Sequence, residues 1–230
     1  MEVRFSEDRR LSGCRLALLM LEDPRVSPTS FAFERLEKKV FSSVRARHTP
    51  QSLREHALLA SFRKLFWQFD MDPTKVRVSS EALLRRVLGD ENLWRVNSAV
   101  DAVNLVSVET GLPISLWDAE RVRLPIEVRA ARKGEVFHQR GDGRIACQGT
   151  ELVVSDAEKI LTLGFASTDS ELSAVTADTE NAIVAVYGTS AVSHEELHKA
   201  VQRIKELLEQ HTRGSVTILG VFPGPSEGAR

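Results

Sequence analysis

The sequence predicts an α+β domain, a mixed sheet packed with helices, with a helical N-terminal half. Three observations carry this. Apolar residues recur at helical spacing through most of the first 110 residues. Short, strand-length apolar runs take over from Leu124. One long capped helix then interrupts the strands near the C-terminus. Helices and strands are segregated rather than alternating, which argues against a doubly wound βαβ arrangement. With 230 residues and 42% hydrophobic content, the chain can bury a sizeable core without disulfide or metal staples.

Cys14 to Leu21 is an apolar run ended by Glu22-Asp23-Pro24 and reads as a buried strand. Pro28 to Arg47 reads as a helix, with Phe31, Leu36, Val40 and Val44 near helical spacing. Thr49 and Pro50 suit the N-cap and first position of a second helix. Its Leu53, Leu58, Leu59, Phe62, Phe66 and Trp67 are expected to face inward. Asp72-Pro73 breaks the chain, and Ser80 to Leu88 forms a helix closed by Gly89. The next helix starts near Asn97 or Ser98, carries Val100, Val103 and Val106, and ends at Gly111 before Pro113.

In the second half, Pro125 to Ala130 alternates apolar and polar as a half-buried strand does. Gly141-Asp142-Gly143 marks a turn. Leu152 to Val154, Ile160 to Leu163 and Ala182 to Val186 read as strands. Ser193-x-x-Glu196 is a capping box for a helix whose face is Leu197, Ala200, Val201, Ile204, Leu207 and Leu208. Gly214 is expected to end it, Val216 to Val221 to form a last strand, and 223–230 to be a flexible tail.

Composition closes several function classes. Lys plus Arg number 31 against 32 Asp plus Glu, which excludes a grossly basic nucleic-acid coat protein but not a local basic patch. From Arg45 to Arg95 there are ten Lys/Arg against six Asp/Glu. Gly149 to Gln210 has four against eleven. Such asymmetry marks a face for a polyanion or arises from ordinary solvated helices. Cys14 and Cys147 sit in apolar surroundings and read as buried free thiols rather than a metal or disulfide framework. No apolar run reaches the roughly 18 residues a membrane span needs. With no signal-peptide pattern at Met1-Glu2-Val3-Arg4, a cytoplasmic location without membrane contact is expected.

Catalytic motifs built on a nucleophile elbow, a Walker loop or a dinucleotide fingerprint are missing. His194 and His198 have metal-chelating spacing but belong on the wet side of their helix, so neither metal nor cofactor is expected. The informative string is Asn97-x-x-Val100-Asp101-x-x-Asn104, then Gly111-x-Pro113, then Asp118. Asn97 suits an N-cap, and Asp101 complements the dipole of the first turn.

That string resembles the editing module, the B-three/B-four region, of the phenylalanyl-tRNA synthetase beta subunit. Upstream, Asp72-Pro73-Thr74-Lys75-x-Arg77-x-Ser79-x-Glu81-Ala82-Leu83-x-Arg85-Arg86-Val87 is similar to stand-alone proteins of this type. Downstream, Ile126-Glu127-Val128-Arg129, Gly134-Glu135, Leu152-Val153-Val154-x-Asp156 and Thr179-x-Asn181 fit as well. The resemblance implies a module over 61–222, with 1–60 as a strand and helices packed on it. It also implies a pocket between sheet and helices that takes the aminoacylated 3′ end of tRNA, with no DNA partner, and hydrolyses the wrong ester. In such a module a positioned water does the chemistry without a side-chain nucleophile or metal.

Carried onto this chain, the resemblance makes Ser115, Asp169 and Ser170 the candidate catalytic residues. Ala185, Asn104 and Glu127 are candidates for the amino-acid pocket. Ser115 stands where bacterial synthetases have a pocket histidine. Ala185 stands where they have the glutamate that reads a tyrosine hydroxyl, so tyrosine discrimination is not expected here. Ser167-Thr168-Asp169-Ser170 replaces a glycine-rich loop. Each polar candidate could equally be an exposed loop residue. Arg77, Arg85, Arg86 and Arg95 are candidates for RNA contact, or else for ion pairs with Glu81 and Glu91. The function expected is hydrolysis of misacylated tRNA in trans. The alternative is a catalytically silent RNA-, amino-acid- or protein-binding module.

Overall fold

The computed structural model describes residues 1–141, 143–166 and 169–226. Asp142 of the expected turn, Ser167 and Thr168 of the expected loop, and 227–230 of the expected tail lie outside the described residues. In chain order the elements are β1 (Val3–Phe5), β2 (Arg15–Glu22), α1 (Phe31–Arg47), α2 (Ser52–Glu55), α3 (Ala57–Gln68), α4 (Ser79–Leu88) and α5 (Ser98–Thr110). Then come β3 (Ile114–Asp118), β4 (Ile126–Ala130), β5 (Val136–Gln139), β6 (Gly143–Ala146), β7 (Leu152–Ser155), β8 (Ile160–Leu163), β9 (Asn181–Gly188), α6 (His194–Thr212) and β10 (Ser215–Pro223).

The strands form two four-stranded sheets, β1-β4-β7-β8 and β10-β2-β9-β3, plus the hairpin β5-β6. All pairings are antiparallel except β1 with β4. The fold is α+β with a mixed sheet, as the segregated pattern predicts. β2 is nearly all apolar because β10 and β9 flank it and both of its faces are covered. α5 meets α1, α4, α6 and β3, which explains why it is buried almost all round.

Most local signals hold. Asn97 accepts from the N–H groups of Ala99 and Val100, and Gly111 takes the left-handed conformation (φ 75°) that closes α5. Ser193 and Glu196 form the reciprocal capping box of α6. Both thiols are buried, and desolvation pushes Cys14 up to about 12 and Cys147 up to about 11.

Four expectations are corrected. The helix expected from Pro28 starts at Phe31, because Ser30 adopts an extended backbone and its hydroxyl accepts from Phe33 N–H. Thr49 does accept from Ser52 N–H at 3.1 Å, but the chain breaks at His56 and gives two helices, α2 and α3. Trp67 is 57% exposed, one position off the buried line Leu59, Phe62 and Phe66. Arg213, not Gly214, is the left-handed C-cap of α6. Gly214 answers a different need: a Cβ there would lie 2.6 Å from the Glu22 carbonyl oxygen.

Candidate functional site

β3 and β9 pair antiparallel with Ser115 opposite Ala185 and Trp117 opposite Ile183. Side chains alternate along a strand, so Ser115, Trp117, Ile183, Ala185 and Tyr187 share one face. All five are buried. Tyr187 Oη donates to Ser115 Oγ at 3.0 Å. Phe165, just past β8, stacks on Tyr187 at 4.1 Å between ring centroids, and Phe62 meets Phe165 edge-on at 6.0 Å. An aromatic cluster from three separate segments thus adjoins the Ser115 hydroxyl through Tyr187.

Asp169 joins this cluster from beside β8, where it forms an isolated bridge with Thr162. Thr162 of β8 donates its hydroxyl to Asp169 Oδ1 at 2.6 Å, and Leu116 N–H of β3 donates to Oδ2 at 3.1 Å. β8 and β3 are each the edge strand of their own sheet. The carboxylate therefore links the edges of the two sheets and satisfies a Leu116 backbone N–H that has no strand partner. Burial pushes the Asp169 carboxyl up, while Thr162, Ser115, Leu116 N–H and Trp117 work the other way. Burial also pushes the Tyr187 phenol well above its ordinary value, and the nearby Asp169 charge adds to this. The result is a hydroxyl, a phenol and a carboxylate within one desolvated cluster. Chemically it can donate to an oxygen acceptor and accept from a water or hydroxyl.

The structure thus brings Ser115, Asp169 and Ala185 together. Ser170 is fully buried, but its Oγ accepts from Leu172 N–H and caps the 3-10 turn Glu171–Ser173. Asn104 lies half-buried on α5. Glu127 lies on β4 and lines a separate cavity of about 230 Å3 with Arg129 and Asp156. That cavity is organised by the fork of Arg129 onto Glu135, at 2.9 and 2.6 Å, and by Lys159 on Asp156 at 2.8 Å. The motif residues Asp118, Thr179 and Asn181 serve each other's neighbourhood. Thr179 Oγ1 donates to Asp118 Oδ2 at 2.8 Å, and Asn181 Nδ2 to Glu120 Oε1 at 2.9 Å. Sequence reasoning missed Tyr187, Phe165 and Thr162. Their apolar context in strand-length runs reads as core, and nothing local reveals that they meet Ser115 and Asp169.

Three of the four candidate RNA-contacting arginines are engaged within the protein. Glu81, itself buried, receives Arg63 and Arg85 at 2.9 Å each. Arg86 pairs with Glu91 at 2.7 Å and lies 4.0 Å over the Trp94 ring. Arg95 forks onto the buried Glu37. Arg77 is exposed. Among the described residues no group of three or more His, Cys, Asp and Glu is placed to hold a metal ion, and His194 and His198 are exposed. No described helix is long and apolar enough to cross a membrane.

A sequence model of the B3/4 domain matches residues 61–213, which include most of α3, all of α4 to α6 and both sheet edges linked by Asp169. The phenylalanine–tRNA ligase beta subunit of Methylococcus capsulatus is 32% identical over 87 residues, 38% of this chain and 11% of that protein. That of Haemophilus ducreyi is 30% identical over 109 residues, 47% of this chain and 14% of that protein. This chain therefore corresponds to a small part of the length of these relatives. Among solved structures, an N-terminal fragment of the phenylalanyl-tRNA synthetase beta subunit from Pyrococcus horikoshii aligns with a TM-score of 0.48 at 15% identity, covering 94% of this chain and 50% of that one. With the family match spanning the residues that build the site, the chain belongs to the B3/4 domain family.

Proposed function

We propose that this protein hydrolyses the ester of misacylated tRNA in trans, in the cytoplasm. The observation that carries the reading is the hydrogen-bonded cluster of buried Ser115 and Tyr187 with half-buried Asp169, built inside the family segment. In this reading the amino-acid side chain packs beside Ala185. Ser115, whose oxygen accepts the Tyr187 proton, turns its own hydroxyl proton to the ester carbonyl oxygen. Asp169 orients a water that adds to the carbonyl carbon. The carbon–oxygen bond to the ribose then breaks, releasing the free amino acid and the tRNA hydroxyl. Neighbouring ribose hydroxyls assist proton transfer. Entry requires Phe165 to leave the face of Tyr187.

A second reading, binding without turnover, is favoured by one specific feature. Ser115 already accepts the Tyr187 proton, and both Asp169 oxygens are already bonded within the protein. The experiment that separates them is deacylation of a panel of correctly and incorrectly charged tRNAs by the purified protein. Selective cleavage of one mischarged species establishes the hydrolase. Folded protein that binds tRNA and cleaves none establishes the binding module. Cleavage of simple aminoacyl esters without tRNA binding points to a small-molecule hydrolase.

A further inference from the structure

A groove of about 230 Å3 lies between α1, α5 and α6, away from Ser115 and Asp169. Leu36 and Val40 form its apolar floor, and Lys39, Arg47 and Arg203 stand around it against one acid, Glu109. Arg203 is held at 3.0 Å by Glu109 and at 3.2 Å by Glu206, so it is a fixed wall. Lys39 and Arg47 are different. Both are exposed, and Arg47 Nε donates only within its own helix, to the Ser43 carbonyl. Among the described residues neither forms an ion pair.

The setting strengthens their field. From Arg35 to Arg47, α1 carries Arg35, Lys38, Lys39, Arg45 and Arg47 against the single acid Glu37. Glu37 is buried and taken by Arg95. Arg45 pairs with Asp90 at 3.1 Å and Glu34 lies in the first turn of α1, so the excess of cations is on the part of α1 beyond Glu34, in a protein whose net charge is −1. Lys39 and Arg47 are eight residues apart on one helix, hence about 12 Å along its axis at 1.5 Å per residue. Two unpaired cations at that spacing beside a shallow groove fit a strand of phosphodiesters rather than a single small anion. This contrasts with α4, where Arg85 and Arg86 are bound to acids.

We propose that the α1 groove, through Lys39 and Arg47, is the track on which the RNA backbone lies. This rests on the reading of the protein as one that acts on tRNA, and it moves the RNA face from α4 to α1.

The test is tRNA binding by the full chain, read as affinity against salt, for wild type and for Lys39→Ala/Arg47→Ala. Both side chains are exposed, so the fold is retained, and circular dichroism checks this. Arg144→Ala on the β5-β6 hairpin is the matched removal of a surface cation. Losing two phosphate contacts should lower the log–log salt slope by about 1.4 to 1.8. Equivalently, the wild-type advantage should shrink about sevenfold to twelvefold between about 50 and 200 mM salt. Arg144→Ala should leave the slope near wild type. Wild-type binding with an unchanged slope in the double variant overturns this inference and leaves the tRNA reading intact. A wild type that binds no tRNA overturns both. Ester cleavage without tRNA binding overturns this inference while leaving hydrolysis itself in place.

Discussion

Replacing Asp169 separates its role as a clasp from any role in chemistry. Asp169→Ala strands two buried donors, Leu116 N–H and the fully buried Thr162 hydroxyl. Each orphaned group costs about 1–3 kcal/mol, so the gross loss is about 2–6 kcal/mol. Removing a desolvated charge returns part of this, since burial already pushes the Asp169 carboxyl up. Asp169→Asn behaves differently. Its amide oxygen keeps the Leu116 N–H, and its NH2 donates to Thr162, whose hydroxyl can turn to accept. The Asn variant should therefore be about 3 kcal/mol more stable than the Ala variant. In urea unfolding this separates the midpoints by about 1–3 M. Equal midpoints for the two would refute the clasp. If Asp169 also orients the water, Asp169→Asn loses deacylation while keeping the fold.

Other consequences follow from single contacts. On β10, an edge strand, Val216 is plugged by α6: Lys205 Nζ donates to its carbonyl at 2.6 Å and its N–H donates to Glu209 Oε1 at 3.1 Å. Lys205→Ala/Glu209→Ala should open this edge and give concentration-dependent association by sedimentation, and a strictly monodisperse variant of unchanged mass would refute the plug. Burial, aided by Arg203, holds the His211 imidazole below its ordinary pKa, so the folded protein binds its proton less readily than the unfolded chain. Its contribution to stability is present above about pH 6.5 and declines as pH falls through the lowered folded value, a loss that His211→Gln should remove from urea titrations at acid pH. Gly214→Ala brings a Cβ to 2.6 Å from a backbone carbonyl and should cost about 1–3 kcal/mol, seen as a lower Tm.

How much of this was legible in the chain depends on the range of the interaction. Caps, breaks and helical faces are local, so Asn97, Gly111 and the Ser193–Glu196 box were readable directly. The short strands β1 and β3 were not. Neither stands out as an apolar run of its own, and they exist because β4 and β9 supply partners. The C-cap of α6 escaped for a related reason. Gly214 attracts the eye as a helix terminator, yet its lack of a side chain is required by Glu22 on β2, almost 200 residues away in sequence.

The sequence alone determined the α+β class, most of the helices and strands and, through resemblance, the family. It also supplied Ser115 and Asp169 as polar candidates. Only the tertiary structure decided that these two meet, that Tyr187 and Phe165 cover them, and that Ser170 serves as a cap. It likewise decided which arginines are taken: Glu37 claims Arg95 across 58 residues of sequence, while Lys39 and Arg47 remain open on α1. The physical reason is that secondary structure follows from neighbours within a few residues. Burial, desolvation and ion pairing depend on which distant segments pack together.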